Sequence, residues 1–596
     1  MDSISSNLAE YQGRLAARKR LANLFDRRSA QISNLRVVAF AVILIILWLA
    51  IRGTLNPWWI VAPLATFAGL VIWHDRTRRD LTRAQRAIHV YAWGIARIED
   101  RWHSLGRKGE RFRQSENVYA EDLDLFGDQS LFQLLSTART RMGEDTLAGW
   151  LLAPAPVATV VERQKALREM SDQLDFREAL AISGEDIPAE FDPAKLIAWA
   201  EGPELLGGKA IRLVAVFLAI AAMAGIVIAL WKSFYLPVAA VILIEALIHS
   251  HYRKRINHVI ESVEGAGESL MLFSALLKAI ERHPFNSTFL QQLHNKLGDG
   301  DVSASHALKV FSARVDLLDS RENLILRVLN VPLLYELQTA FAMEAWRHRH
   351  GHAVRAWLDA IGETESLVSL ATYSYEHPSD PFPELREDTK AQLVGESLGH
   401  PLIPAGKSVR NNVRLDETTR VLLVSGSNMS GKSTYLRTIG VNAVLAMAGA
   451  PVRARSLRLT PLQVGSSLHI VDSLQTGRSG FASELERLRQ IMSLVNEGLP
   501  VLFLLDELLH GTNSHDRHIG GQALLRAFVT LGAIGVVTTH DLSITEIPAD
   551  LTSLVRNAHF EDRIEDGHMV FDYVLREGAV TRSNALELMR SIGLDV

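Results

Sequence analysis

The sequence predicts a mostly parallel α/β domain at its C-terminal end, behind an α-helical module that carries two pairs of long apolar helices. Three observations predict it. Short apolar runs at 421–425, 501–505 and 533–539 each end at polar or charged residues, as strands buried on both faces of a parallel sheet do. Apolar residues recur at helical spacing through most of 121–370. Two pairs of uncharged stretches, each pair split by a short turn, have the length and composition of membrane hairpins.

The first pair fills 35–73, after a basic N-terminus at 1–34. Val37 to Ile51 is 15 consecutive apolar residues, and Thr54 to Trp73 is uncharged for 20. Arg14, Arg18, Lys19, Arg20, Arg27, Arg28 and Arg36 precede it, and Arg76, Arg78, Arg79, Arg83 and Arg86 follow, with only Arg52 in the turn. That bias places both ends in the cytoplasm, and Trp58, Trp59 and Trp73 suit the interfacial positions. The basic start is long and the first apolar run leads straight into a second, so no cleavable secretory signal is expected.

A helical extension is expected at 74–120 and the first part of a helical core at 121–210. Leu131, Phe132, Leu134, Leu135, Met142, Leu147 and Trp150–Leu152 give an amphipathic pattern that Gly143 is expected to interrupt and Pro154 to end. The second hairpin is expected at 211–249. Leu213 to Trp231 is uncharged for 19 residues, and a shorter span from Ser233 to Ile248 contains Pro237 and Glu245. Arg253, Lys254 and Arg255 return the chain to the cytoplasm, which brings the expected total to four membrane-spanning helices. Glu245 is read as lying at headgroup level, with a proton or ion pathway as its functional alternative. Residues 250–370 read as further core helices with a break at Pro332, and 371–383, with Pro378, Pro381 and Pro383, as a linker into the final domain at 384–596.

In that domain, Gly426-Ser427-Asn428-Met429-Ser430-Gly431-Lys432-Ser433 fits G-x-x-x-x-G-K-[ST] between an apolar strand and a helix. Glycines allow the loop to turn its backbone N–H groups toward a phosphate, and the following helix adds its positive end. Lys432 would then reach the β and γ phosphates of ATP and Ser433 would offer its hydroxyl to Mg2+. A glycine turn with a solvated lysine is the structural alternative. The second strand, Val501 to Leu505, decides between them by delivering Asp506 and Glu507. Asp506 can share the Mg2+ shell with Ser433, and Glu507 can orient or deprotonate the attacking water. A third strand delivers His540, as a γ-phosphate sensor or as a structural cap. Together these residues describe a P-loop ATPase with Glu507, Lys432 and His540 in the chemistry.

The loop resembles the phosphate loop of the MutS family, G-P-N-M-x-G-K-S-T-x-x-R, through Asn428, Met429, Gly431, Lys432, Ser433, Thr434 and Arg437, with Ser427 in place of proline. "LLDELLHGTNSHDR" is similar to the family's D-E-x-G-R-G-T-[ST]-x-x-D through Asp506, Glu507, Gly511, Thr512 and Asp516. Leu509 and His510 stand where the family has Gly and Arg. Ser479, Phe481 and Glu484 resemble its signature-helix start, and these motifs lie within about Leu398 to Pro548. Tyr119 to Pro154, continued by Arg163, Gln164, Ala166 and Leu167, resembles the start of the family's core domain. The resemblance implies a homodimer with composite sites, in which Ser479 of one subunit faces ATP held by the 426–434 loop of the other. It also implies that "GHPL" at 399–402 leads into the ATPase domain near the adenine, and that Mg2+ is the only metal.

The resemblance implies mismatch repair less directly. The family's mismatch-reading and connector domains have no counterpart expected in 1–118, and Phe25 is better read as a membrane-proximal apolar residue than as a wedge. Double-stranded DNA is retained as a partner, because a dimeric clamp can hold a duplex through backbone contacts alone. A membrane-tethered assembly or signalling ATPase without DNA is the alternative. An ABC-type transporter is a third reading, opposed by the missing L-S-G-G-Q signature and by the 139 positions between Trp73 and Leu213. The net charge of −4 advertises no global nucleic-acid surface. The absence of cysteine excludes disulfides and thiolate metal sites.

Overall fold

The computed structural model describes residues 2–113, 117–184, 192–206, 209–263, 266–299, 302–319, 333–387, 390–468, 480–495, 498–510, 512–565 and 568–580. It divides into two compact units, one formed by 1–106 with 375–379 and the other by 107–374 with 380–596.

The first unit is built on two helices, Asp2–Ile51 and Val61–Ile98. The helices therefore run past the expected hairpin bounds of 35–73 at both outer ends. The basic N-terminus and the first span form a single 50-residue helix, and the second span continues into the former extension as far as Ile98. No proline falls within 2–51, and its charged part suits a helix as well as its apolar part does. Pro57 opens the short 3-10 turn Pro57–Ile60, capped by the Asn56 side chain. The helices run antiparallel, pairing Tyr11 with Tyr91 and Phe40 with Phe67.

Along their apolar parts these helices expose large side chains, among them Leu44, Trp48, Ile51, Leu64 and Trp73. Away from that stretch the unit has a buried ion pair. Arg97 donates from Nε and Nη2 to the two carboxylate oxygens of Glu376 at 2.6 and 2.7 Å, and the Tyr11 hydroxyl adds a third donor at 3.4 Å. Both charged residues are under 5 % exposed. Glu376 ends the helix Tyr335–Glu376, so the expected linker at 371–383 is helical for its first half. The chain becomes irregular only where the three prolines begin.

Helices also make up the first part of the second unit. Gly143 does not interrupt a helix. It lies in the first turn of Arg141–Leu152, where its N–H donates to the capping Thr140 hydroxyl. A Cβ at Gly143 would stand 2.3 Å from Glu365 Oε2, so the glycine serves close packing. The buried Glu365 in turn accepts from Arg139 N–H, Thr140 N–H and the Thr140 hydroxyl. The second apolar pair is Lys209–Lys232 and Leu236–Glu261, longer than 211–249 at both ends, and Gly225 lets the two helices approach at Val238. Glu245 lies in the second of these, 1 % exposed and with neither oxygen hydrogen-bonded. Among the described residues three helices are long and apolar enough to cross a membrane, Ser3–Ile51, Pro57–Ile98 and Ile211–Lys232. The expected count was four. The helix at 236–261 has a shorter apolar part that Glu245 interrupts and the basic run at 253–255 follows. Pro332 lies outside the described residues.

The C-terminal part contains a six-stranded sheet in the order His568–Glu577, Val555–Glu565, Val421–Ser425, Ile534–Thr539, Val501–Leu505, Gln463–Ser467. Every neighbouring pair is parallel except the terminal hairpin at 555–577. A mostly parallel sheet is what the apolar runs predict. Alternate residues on the strand 501–505 face opposite helices. Phe503 and Leu505 pack with Leu488, Ile491, Leu525 and Phe528 from the helices Gly480–Leu494 and Ser514–Thr530. Leu504 instead reaches Gly440 of the helix Lys432–Ala448. A second, four-stranded sheet of 384–385, 456–459, 393–398 and 411–415 is largely antiparallel and has no counterpart in the sequence reading.

Glu376→Gln is expected to destabilise the first unit by about 3 kcal/mol, because it leaves the Arg97 guanidinium buried without a counter-charge. Replacing both partners with apolar residues, as Arg97→Met with Glu376→Leu, should recover most of the loss. Denaturant titration of the detergent-solubilised chain, followed by tryptophan fluorescence, measures both changes.

Candidate functional site

Parallel register brings the functional strand ends level. Ser425 pairs with Thr539, and Ser467 pairs with Leu505, so the phosphate loop, Asp506 and His540 leave the sheet at the same edge. That edge is where open parallel sheets bind ligands. A cavity of about 610 Å3 opens there, lined by Asn428, Met429, Gly431, Lys432, Ser433, Thr434, Asp506 and Glu507. Eight of the residues singled out in the sequence thus share one cavity. Gly426, Ser427 and Ser430 shape the loop without lining it, and Ser479 and Gly511 lie outside the described residues.

The loop is built for an anionic guest. Gly426 has φ +156°, and a Cβ there would meet Ser430 Oγ at 2.8 Å and the Phe560 carbonyl at 3.1 Å. Gly431, at φ +101°, precedes the helix Lys432–Ala448, whose first N–H groups point into the loop. Lys432 is buried, and its ammonium donates to the carbonyls of Gly426 and Ser427, both at 2.8 Å. Burial pushes its pKa down, while Glu507 and then Asp506 pull it back up. The buried hydroxyls of Ser427 and Ser430 have no hydrogen-bond partner. A buried lysine folded onto its own loop and two orphaned hydroxyls suit a phosphate group that would take up these donors.

Thr538, one residue inside the neighbouring strand, organises the acids. Its hydroxyl donates to Asp506 Oδ1 and accepts the Glu507 N–H at 3.1 Å. Glu507 and Leu509 both adopt positive φ, +48° and +55°, conformations that non-glycine residues rarely hold without surrounding support. Glu484, from the helix expected to carry the signature, supplies part of that support by accepting the Leu509 N–H at 2.6 Å. Burial raises the pKa of this carboxyl. Arg517 supplies more, donating to the carbonyls of Leu509, His510 and Thr512 and to Asp541 Oδ2. His540 does not line the cavity. Its Nδ1 stands 3.5 Å from Glu507 Oε1, with His510 Nδ1 3.7 Å from the other oxygen.

The apolar part of the lining comes from residues not singled out in the sequence: Leu398, Ile403, Val409, Phe560 and Tyr573. They give the cavity an apolar side, with the Tyr573 ring against the phosphate loop, 3.0 Å from where a Cβ on Gly431 would stand. Asn411 fastens the terminal hairpin there, donating to the Tyr573 carbonyl and accepting from Leu575 N–H. His400 is buried outside the lining, its Nδ1 accepting the Leu402 N–H at 3.3 Å, so the turn it fixes, and not its ring, reaches the cavity through Ile403.

Arg437, matched in the loop motif, pairs with Asp124 at 3.0 Å, and Asp122 accepts from Ser466 and Leu468. The start of the helical core is thereby tied to the helix that follows the phosphate loop. Residues 422–595 match the family profile of MutS domain V. This C-terminal part is a MutS-family domain V. Over 196 residues it is 37 % identical to the endonuclease MutS2 of Thermus thermophilus, covering 33 % of this chain and 25 % of that protein. The DNA mismatch repair protein MutS of Brevibacillus brevis is 31 % identical over 283 residues, 46 % of this chain and 32 % of its own length. MutS 2 of Halobacterium salinarum is 31 % identical over 252 residues, 39 % of this chain and 27 % of its own. The chain thus spans a quarter to a third of these MutS relatives.

Acid should weaken the C-terminal part of the chain through His400. Burial first, and Arg437 second, lower its pKa to about 4 from an ordinary 6.5. The unfolded chain therefore takes up the proton first, and stability falls as pH drops below 6.5, by roughly 3 kcal/mol on reaching pH 4. His400→Gln keeps an acceptor but removes the titration. Melting temperatures compared between pH 7 and pH 5 should fall less for this variant than for the parent.

Proposed function

We propose that this chain is a membrane-anchored ATPase that binds ATP with Mg2+, hydrolyses it and uses the two states to switch a dimeric clamp or lever assembly. The observation that carries the reading is the meeting of Lys432, Ser433, Asp506 and Glu507 around one cavity. Mg2+, when bound, would neutralise the charge that develops on the phosphates. Ser433 and Asp506 would hold it. Lys432 exchanges the two loop carbonyls for phosphate oxygens, and the loop N–H groups do the rest of the anchoring. Glu507, presented by its positive-φ turn, orients a water or takes its proton. His540, beside Glu507, senses the terminal phosphate. Ser479 of a second copy is assigned to complete the site across a dimer, on the family resemblance.

Anchoring rests on exposed apolar surface. The most apolar 18-residue windows of the first two long helices have no buried residue. Leu213, Phe217, Leu230 and Trp231 on the third are each more than two thirds exposed. Contiguous apolar surface of that extent is costly in water and at home in lipid. With Arg52 alone in the first turn and basic residues on both outer flanks, the charge bias directs the nucleotide domain to the cytoplasm. Arg437–Asp124 and the Asp122 contacts give a route by which the nucleotide loop can bias the helical module.

The names of the relatives favour DNA as the partner, and the second reading is a membrane assembly that does without it. Two variants test the chemistry. Lys432→Ala should lower both ATP affinity and turnover. Glu507→Gln should leave ATP binding within a few-fold and reduce turnover at least about 100-fold, as expected when a group acts mainly in the transition state. Wild-type turnover in Glu507→Gln would remove the residue from the mechanism. Turnover of the full chain in detergent, measured without DNA, with paired duplex and with mismatched duplex over a salt series, separates the partners. A backbone clamp binds both duplexes alike and weakens with salt. A mismatch preference would overturn that expectation, and equal turnover with no binding in any arm favours the assembly reading.

A further inference from the structure

Glu507, His510 and His540 each offer one ligand atom, and these atoms all lie within 4.8 Å of one another. The two shorter separations, from the two carboxylate oxygens to the two Nδ1 atoms, are 3.7 and 3.5 Å, and the imidazole rings are 5.2 Å apart at 68°. Ligand atoms held about 2.0–2.1 Å from a tetrahedral ion stand about 3.3 Å from each other. The two short contacts run to different oxygens of Glu507, so gathering one oxygen and two nitrogens around an ion needs a closure of up to about 1.5 Å. Side-chain rotation can supply it, since the His510 and His540 side chains are 61 % and 39 % exposed.

The backbone under these side chains is already fixed. Arg517, whose side chain is 13 % exposed, donates to the carbonyls of Leu509 and His510 on one side and to Asp541 Oδ2 on the other. One guanidinium thus clamps the turn that carries Glu507 and His510 to the residue that follows His540. Thr538 and Glu484 hold the same turn from beneath through the N–H groups of Glu507 and Leu509. Such outer partners are what orient metal ligands before an ion arrives.

The donor set selects the ion. Two imidazoles and one carboxylate suit a first-row transition dication and leave its fourth position open to water. Mg2+ prefers oxygen donors in an octahedron and suits the Ser433–Asp506 position instead. His510 is also where this chain departs from the family motif, which has an arginine there and so no ligand.

We propose that Glu507, His510 and His540 form a second metal site, for Zn2+ or a similar transition dication, that shuts the ATPase by taking up the Glu507 carboxylate. The site goes beyond the expectation of Mg2+ alone, and its inhibitory half rests on the reading of Glu507 as the residue that orients the attacking water. Ligation occupies a carboxylate oxygen that would otherwise accept from water, and it draws His540 away from the phosphate end. No covalent bond changes.

Metal-stripped full chain in detergent, titrated with Co2+ and followed by its visible d–d absorption, should bind one ion per chain that Zn2+ displaces. His510→Ala should weaken Zn2+ binding at least tenfold and raise the Zn2+ needed for half-inhibition by the same factor. Its turnover with Mg2+ alone should stay within about twofold of the parent. Glu507→Gln should lose the Co2+ signal, a result that needs no turnover to read. An unchanged Co2+ spectrum and Zn2+ affinity in both His510→Ala and His540→Ala would overturn the site and mark any bound ion as adventitious. Co2+ bound through His510 in a chain that never hydrolyses ATP would keep the site and sink the inhibitory half together with the ATPase reading. Normal turnover with Zn2+ binding indifferent to His510 would sink the metal site alone.

Discussion

The register of parallel strands is the constraint on which the nucleotide cavity depends. Val421–Ser425, Ile534–Thr539 and Val501–Leu505 are hydrogen-bonded so that Thr539 lies opposite Ser425 and Val537 opposite Leu505. Side-chain direction alternates along a strand, so a slip of one residue would turn Thr538 away from Asp506 and put Phe503 on the face of the wrong helix. Four to six buried residues per strand enforce the pairing. The apolar interior therefore does chemical service: it fixes, to within a hydrogen bond, where the polar groups stand when the strands end.

That arrangement was legible where it is local. A glycine-spaced loop after an apolar strand, and adjacent acids after another, announce themselves within a dozen residues, and Lys432, Ser433, Asp506 and Glu507 lie where their motifs put them. The apolar part of the cavity lining was not legible. Phe560 and Tyr573 come from a hairpin more than 100 residues downstream, whose alternating pattern fits an ordinary strand pair and carries no sign of a cavity. Arg517 was equally silent, because its role is to donate to backbone carbonyls, which have no signature in a sequence. Glu376 fell within a stretch read as linker from its prolines, and its tertiary partner Arg97 lies 279 residues away in the sequence.

Boundaries between polar and apolar segments proved to be poor guides to where helices stop. The chain changes character sharply near Leu35 and again after Trp73, yet neither change interrupts a helix. Helix formation responds to backbone requirements, chiefly the absence of proline and the availability of donors and acceptors four residues apart, while polarity decides only which solvent the surface meets. The same separation explains Gly143, which reads as a breaker by residue type but lies in a capped first turn where Glu365 leaves no room for a Cβ.

The 50-residue helix Asp2–Ile51 has a mechanical consequence. At 1.5 Å per residue it is about 75 Å long. In the proposed membrane anchoring, a hydrocarbon layer would take up about 30 Å of such a rod. More than half of it then projects into water with no joint at the boundary. A torque applied to the wet end would then be passed toward the greasy end, so twisting outside a bilayer and re-presenting a helix face inside it would be one movement.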